Sequence, residues 1–164
     1  MDFKLELPVA EQSKQICAIW EAGWHEAHDD ILPANLRELR TTSSFSDRTI
    51  ENLANTRIAR DGTEVLGCSM VKKNELYQLY VSGHARGSGV AQSLIADAED
   101  RIRLAGYRMA WLACAIGNDR AGRFYAKSGW TNTGPRIVDL STSNGTYPLE
   151  VSRFEKLLDG SKLG

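Results

Sequence analysis

Hydrophobic residues recur along the chain at two different spacings, which divide it into candidate strands and helices. Residues 3–7 alternate between apolar and polar, and this pattern predicts a short strand that ends at Pro8. Spacings of three and four residues then predict a helix from about Glu11 to His28. Pro33 suits the first turn of a second, shorter helix that runs through Leu39.

A polar run separates these helices from the rest of the chain. The run at residues 41–44 predicts a turn, after which Ser46 or Asp47 can cap a third helix. The apolar positions expected for this third helix are Ile50, Leu53 and Ala54.

From Thr56 onward the pattern is dominated by strands, with two further helices between them. It predicts, in order, a hairpin (57–71), a buried strand (75–81), a helix (90–106), a strand (108–115), a short helix capped by Asn118, and two final strands (130–140 and 147–154). Helices come first, then a hairpin, then strands alternating with helices, then two more strands. This order predicts a mixed-sheet α/β or α+β fold. We expect one domain over residues 1–164.

Composition and charge exclude several classes of protein. The net charge is −1 and the 20 basic residues are scattered, so a nucleic-acid partner is not expected. No apolar stretch reaches membrane-spanning length and no signal peptide begins the chain, which favours a cytoplasmic protein without a membrane partner. The three cysteines, Cys17, Cys68 and Cys114, lack disulfide or zinc spacing, and we expect them to be reduced and the protein to hold no metal.

The most informative segment is Arg86-Gly87-Ser88-Gly89-Val90-Ala91, which lies between a predicted strand and a predicted helix. A helix start leaves backbone N–H groups unsatisfied, and glycines let a phosphate approach them. The same glycines could instead shape a tight connection. Gln92 breaks the dinucleotide-binding pattern, and the Gly-Lys-Ser/Thr of a triphosphate loop is absent.

Two segments together resemble the GNAT superfamily of N-acetyltransferases. Residues 86–91 are similar to its Gln/Arg-x-x-Gly-x-Gly/Ala motif, and residues 118–130 are similar to its Asn-x-x-Ala-x-x-Phe-Tyr-x-x-x-Gly-Phe/Trp block. The chain departs from the family at position 83, where Gly83 replaces the usual proline. The resemblance covers residues 75–130 well and the first 55 residues only as generic helices.

The resemblance implies a mostly antiparallel sheet of about six or seven strands flanked by helices, with the coenzyme A loop between the fourth strand and the next helix. It implies an enzyme that moves the acetyl group of acetyl-CoA to a primary amine by direct attack in a ternary complex. The implied cofactor-binding residues are Val81, Arg86, Gly87, Ser88, Gly89, Val90, Ala91, Asn118 and Tyr125. A catalytically silent acyl-CoA sensor and a transferase of longer acyl groups are the alternatives.

Three residues are candidates for the chemistry of transfer. The resemblance implies that the backbone N–H of Val81 stabilises the oxyanion, if the N–H is freed from the sheet. Tyr125 is the candidate general acid, since a phenol holds its proton at neutral pH, although its position also suits a core tyrosine. Glu75 is the candidate general base, and strand alternation predicts that it shares a sheet face with Val81. A solvated glutamate, with ordered water carrying the proton, is the alternative.

The remaining partners are less defined. Asn118 can cap its helix and bind the cofactor at once, whereas Arg86 can face either pyrophosphate or solvent. The first two helices should select the acceptor, which is a small-molecule amine or a peptide or protein amine. Trp20, Trp24 and His28 lie there beside acidic residues, a mixture that suits a cationic amine or an ordinary core. A homodimer through the last strands is expected by analogy alone.

Overall fold

The computed structural model describes residues 2–158, so residues 1 and 159–164 of the predicted domain lie outside the described residues. Five helices flank one sheet. The strands are β1 (Lys4–Glu6), β2 (Thr56–Asp61), β3 (Glu64–Lys72), β4 (Glu75–Val81), β5 (Met109–Ala115), β6 (Thr131–Thr142) and β7 (Gly145–Leu157). The helices are α1 (Ser13–His28), α2 (Ala34–Leu39), α3 (Thr42–Glu51), α4 (Val90–Leu104) and α5 (Asp119–Lys127).

The seven strands follow the order β1-β2-β3-β4-β5-β7-β6, and every neighbouring pair except β4 and β5 is antiparallel. The parallel strands β4 and β5 are paired at one position only, where Glu75 lies opposite Trp111. Beside it, the Trp111 N–H donates to the Asn74 carbonyl at 3.0 Å. Beyond this point β4 and β5 separate. The predicted mixed, mostly antiparallel sheet of six to seven strands is confirmed.

The helices cover the two faces of the sheet with separate cores. Helices α1 and α3 pack on one face, where the Trp20 and Phe45 rings meet edge to face at 5.7 Å. Helices α4 and α5 pack on the other face, where Leu94 and Ile95 of α4 contact the sheet. The opening between β4 and β5 therefore connects an α1/α3 side with an α4/α5 side.

The predicted turn at residues 41–44 is wrong, because these residues begin α3. The Thr41 hydroxyl accepts a hydrogen bond from the Ser44 N–H at 3.1 Å, so Thr41 is the N-cap of α3. The helix therefore begins before Ser46, the residue predicted to cap it. The buried face shifts with it: Phe45, Arg48 and Thr49 point inward, whereas Ile50 is 63% exposed.

Strand β4 contains a bulge that sequence alternation did not predict. Met70 pairs with Gln78 and Val71 pairs with Leu76, so Tyr77 is an extra residue on β4. Tyr77 and Tyr80, three residues apart, consequently pack on the same α1/α3 core. The prediction that Glu75 and Val81 share a face is therefore wrong, since the extra residue reverses the alternation between them.

Candidate active site

A cavity of about 360 Å³ occupies the opening between β4 and β5. All of β4 lines it on one side and Ala113 to Ala115 of β5 line it on the other. The C-terminal part of α1 covers the α1/α3 side, and α5 contributes residues from the opposite side. The parted strands thus form a channel through the sheet that reaches both helical layers.

The backbone of β4 directs polar groups into this channel. In an antiparallel ladder, hydrogen-bonded and non-hydrogen-bonded pairs alternate. The Ser82 N–H donates to the Leu66 carbonyl at 2.8 Å, so the Gly67–Val81 and Ser69–Leu79 pairs are the non-bonded ones. The N–H groups of Leu79 and Val81 therefore point away from β3, toward the opening. Sequence reasoning named Val81 and missed Leu79, although the two residues are two positions apart on β4 and their N–H groups point the same way.

The glycine turn opens the first turn of α4 to its surroundings. Gly87 has φ +78° and Gly89 has φ +90°, a left-handed conformation that favours glycine, and no atom lies within 4 Å of where their Cβ atoms would stand. The first bond into the helix runs from the Ser93 N–H to the Gly89 carbonyl, so the N–H groups of residues 90–92 have no acceptor inside the helix. The Ser88 hydroxyl bonds to the Ala85 carbonyl and is already engaged.

The Arg86 side chain forms an ion pair with Glu26 rather than extending freely into solvent. Its guanidinium donates to both carboxylate oxygens of Glu26 on α1, at 2.7 and 2.9 Å. Arg120 in the first turn of α5 donates to the same carboxylate at 3.3 Å. Both arginines line the cavity, so this group of three charges joins α1, the glycine turn and α5 at the edge of the channel. The pKa of the Glu26 carboxyl is lowered, chiefly by the Arg86 hydrogen bond.

Tyr125 and Asn118 lie where α5 borders the cavity. The Tyr125 ring packs against Trp130 and Phe154, and burial raises the pKa of its phenol. A protonated phenol therefore persists at neutral pH. The Asn118 Oδ1 accepts from the Ala121 N–H at 3.4 Å, which makes it the N-cap of α5 while the residue also lines the cavity.

Glu75 also lines the cavity, but from the α1/α3 side of the sheet. Burial raises the pKa of its carboxyl to about 7, although the positive charges of Lys72 and Arg153 oppose that rise. A carboxyl with this pKa exchanges its proton near neutral pH, which is the property of a useful general base. The place of Glu75 on the opposite side of the sheet from α4 follows from the bulge, because the neighbouring Leu76 packs on the α4/α5 core.

His28 is a cavity residue to which sequence reasoning gave no separate role. Its Nδ1 lies 2.8 Å from the Trp24 carbonyl oxygen, which can only accept, so Nδ1 carries the proton and Nε2 has a lone pair. Burial lowers the pKa of His28 and keeps the ring neutral. In the sequence, His28 stands at the end of a predicted helix, four residues after Trp24. A core histidine has the same pattern, so the sequence alone does not identify His28 as a site residue.

The three cysteines are free thiols, as predicted for reduced residues. Burial raises the pKa of Cys114 to about 11 and that of Cys68 to about 12. Cys114 lines the cavity, but a thiol with so high a pKa is a poor nucleophile at neutral pH. Over residues 2–158, no group of three or more metal-binding side chains occurs, and no helix is long and apolar enough to cross a membrane.

The mixed sheet, its opening between parallel strands and the glycine turn beside it define the class that the sequence resemblance implies, the acetyltransferases. The chain belongs to the acetyltransferase (GNAT) family, whose model matches residues 14–130. This match begins well before residue 75 and includes α1, which the motifs alone did not reach. No curated protein compared with the chain matches it.

Solved structures share this fold at low sequence identity. A GCN5-related N-acetyltransferase from Rhodopseudomonas palustris has a TM-score of 0.73 at 20% identity, with 96% of each chain covered. The PaiA N-acetyltransferase from Thermoplasma acidophilum, in complex with coenzyme A, has a TM-score of 0.66 at 16% identity, covering 96% of this chain and 99% of that one. YncA from Salmonella typhimurium, with its cofactor acetyl-CoA, has a TM-score of 0.67 at 12% identity, covering 97% and 95%.

Proposed function

We propose that residues 1–164 form a single N-acetyltransferase domain that moves the acetyl group of acetyl-CoA to a primary amine. The acceptor is a small-molecule amine or an amine of a peptide or protein. The observation that carries this proposal is the parting of β4 from β5 after Glu75, which turns two backbone N–H groups, at Leu79 and Val81, toward a cavity that Tyr125 also lines.

The donor is held mainly by backbone. The N–H groups at the start of α4 and the open glycine turn suit a diphosphate, which a helix start stabilises through hydrogen bonds and its positive partial charge. The complexes of PaiA with coenzyme A and of YncA with acetyl-CoA, which share the fold, support this assignment. Arg86 and the amide of Asn118 add contacts from either side of the turn.

The thioester supplies an activated acetyl group, and the chain's residues stabilise charge and move protons. As the amine nitrogen attacks the carbonyl carbon, negative charge develops on the carbonyl oxygen. The Leu79 and Val81 N–H groups are the donors available to that oxygen, because neither is used by β3. When the carbon–sulfur bond breaks, the sulfur takes a proton from the Tyr125 hydroxyl.

The amine must lose a proton to become a nucleophile. Glu75 is the proposed acceptor of that proton, directly or through ordered water, since its carboxyl has a pKa of about 7 and lies on the cavity wall. Its place on the α1/α3 side means that the acceptor amine enters from that side, opposite to α4.

We propose direct transfer without an acyl-enzyme. The high pKa values of Cys68 and Cys114 keep both thiols protonated and favour this route over a covalent one. A homodimer through the last strands stays a prediction, which the mass of the protein in solution would test.

The decisive experiment measures release of the coenzyme A thiol from acetyl-CoA across a panel of amines, with mass spectrometry of the products. Amine-dependent thiol release together with an N-acetylated product supports the proposal. Tight binding of coenzyme A with no turnover on any amine would favour the sensor, and faster turnover with succinyl-CoA than with acetyl-CoA would favour the longer acyl group. A labelled acetyl group trapped on a cysteine would exclude direct transfer.

A further inference from the structure

Two arginines are buried on the acceptor side of the sheet. Arg40, between α2 and α3, is 4% exposed, and Arg48 of α3 is 9% exposed. Arginine is almost never buried this deeply without a partner for its charge. The part of the chain that the structure describes offers neither of them a carboxylate within ion-pair distance.

Their hydrogen bonds are also incomplete. Arg40 Nη1 donates to the Ser141 carbonyl at 2.7 Å, and Arg48 Nη2 donates to the Tyr77 hydroxyl oxygen at 3.2 Å. Arg40 Nε, Arg48 Nε and Arg48 Nη1 are buried without an acceptor among residues 2–158. The Arg48 guanidinium lies 4.4 Å from the centre of the Trp20 ring, which supplies attraction but no hydrogen bond.

The nearby charges strengthen the positive potential rather than cancelling it. The pKa of Arg40 is lowered to about 10 by burial and by the charge of Arg48, yet the group stays protonated at neutral pH. Lys72 Nζ lies 3.8 Å from the centre of the Tyr77 ring and adds a third cation. Glu75 supplies the opposing charge on this wall, and at a pKa of about 7 it is only partly ionised at neutral pH.

A role in stability alone does not account for this arrangement. A buried charge without a partner is strongly destabilising, and an apolar side chain of similar volume usually stabilises such a site better. An anion supplied by a ligand would provide the missing negative charge and would account for the retained cations.

Tyr77 connects the arginines to the cavity. Its side chain packs on the same core as Trp20, and the residue lines the cavity. Because its hydroxyl oxygen accepts from Arg48, the hydroxyl proton is available to another acceptor. An anion at this wall would take that proton in a hydrogen bond, with the charges of Arg48 and Arg40 behind it.

We propose that the acceptor is an amine that also carries a carboxylate, and that the Tyr77 hydroxyl binds this carboxylate with Arg48 and Arg40 as positioning residues. This inference rests on the proposed function. The amine then lies on the same face as Glu75, between the carboxylate and the opening of the sheet. Free amino acids, and peptides through a carboxylate near the reactive amine, belong to this chemical class.

The test compares acceptors that differ only in the anionic group. Each free amino acid is assayed beside its carboxamide for release of the coenzyme A thiol. The expected kcat/KM is about tenfold or more higher for the acid, since a hydrogen bond supported by charge contributes at least that factor. In Tyr77→Phe and Arg48→Gln the ratio of kcat/KM for the acid to kcat/KM for the amide should fall toward one, chiefly because the KM for the acid rises.

Arg37→Gln is the matched control. Arg37 belongs to α2 and donates to the Leu32 carbonyl, so this variant also removes one positive charge near the acceptor side but leaves the buried pair intact. It should keep the preference for the acid. A general disturbance of the fold would raise the KM for acid and amide alike, whereas loss of a carboxylate contact affects the acid alone.

A second measurement does not depend on turnover. N-acetylated amino acids should raise the Tm of the unmodified protein, their carboxamides should not, and Tyr77→Phe should abolish the difference. Equal kcat/KM for acids and amides would overturn the inference while leaving acetyl transfer established. If no amine consumes acetyl-CoA, the proposed function fails, and an equal Tm response to both ligand series would then overturn the carboxylate site as well.

Discussion

The proposed donor side and the proposed acceptor side of the channel are built from different kinds of groups. On the donor side, comprising the glycine turn, the start of α4 and the N–H groups of β4, most of the available hydrogen-bond donors belong to the backbone. On the acceptor side, comprising α1, α3 and the Tyr77 face of β4, the available groups are side chains with unusual burial or charge, such as Arg48 and Glu75.

This difference determines what each side can recognise. Backbone N–H groups at fixed positions suit a diphosphate and a thioester carbonyl. Proteins that use the same acetyl-CoA donor all have to bind these two groups. Side chains can be exchanged without altering the fold, so they are where one member differs from another. The same contrast predicts that substitutions on the two sides change different kinetic constants.

The largest effect is expected at Tyr125, the proposed general acid. Tyr125→Phe should lower kcat by about 10³-fold, because the departing sulfur loses its proton source, with little change in the KM for either substrate. Steady-state thiol release measures both constants. Tyr80→Phe is the control, since Tyr80 is a second phenol that lines the cavity and whose pKa is raised by desolvation. A larger loss in the control would transfer the role to Tyr80.

Glu75 tests whether proton removal belongs to the acceptor side. Glu75→Gln should lower kcat/KM for the amine by about 10²-fold above pH 7, and the rise in rate of the unmodified protein as pH passes about 7 should disappear. Glu150→Gln, which changes an exposed carboxylate on β7, should keep that rise. An unchanged profile in Glu75→Gln would leave ordered water as the base.

The same residue makes a stability prediction with a defined sign. Because the folded-state pKa lies above the usual value, ionisation of Glu75 costs stability progressively as pH rises from about 4.5 to above 7. Glu75→Gln removes this cost. Its Tm relative to the unmodified protein should therefore be higher at pH 8 than at pH 4.5, as thermal melts at the two pH values can show.

Much of the donor side could be predicted from sequence because its elements have strong local signals. The Gly89 turn, the Asn118 cap and the helix between them follow from residue types at fixed spacing, and the succession of strands along the chain follows from alternation. Val81 follows from the family resemblance, and strand alternation counted from Val81 points to Leu79 as the second free N–H group. What alternation could not supply was the bulge at Tyr77, because one extra residue in a strand leaves no distinct mark in an apolar and aromatic run.

The acceptor side was less predictable for a physical reason. Arg48 occupies an inward position of α3 beside Phe45 and Thr49, yet an arginine is normally assigned to the solvent face. Thr41 was assigned to a turn because a polar run and a capped helix start have the same composition. The ion pairs of Glu26 depend on elements that are distant in sequence, so no local pattern indicates them.

On the donor side, Gly89 should matter for its conformation. Gly89→Ala forces a residue with a Cβ atom to φ +90°, which costs about 1–2 kcal/mol and displaces the turn, so affinity for coenzyme A should fall about tenfold. Isothermal titration calorimetry gives the Kd. Gly106→Ala imposes a similar conformational strain just after the opposite end of α4, at φ +100°, and should lower Tm without changing the Kd. Equal Kd values for both variants would mean that the turn does not bind the donor.

The smallest expected effect lies at the junction of the two sides. The Glu26 carboxylate pairs with Arg86 and Arg120. The diphosphate of the donor would attract the same two arginines, so we expect Glu26 to compete with it. Glu26→Gln should therefore tighten coenzyme A binding by up to about fivefold, the range of an exposed ion pair, and the gain should shrink at high salt. Glu21→Gln changes a carboxylate of α1 that accepts from Thr42 instead and should leave the Kd unaltered. Weaker binding in Glu26→Gln would show that Glu26 orients the arginines for the donor rather than competing with it.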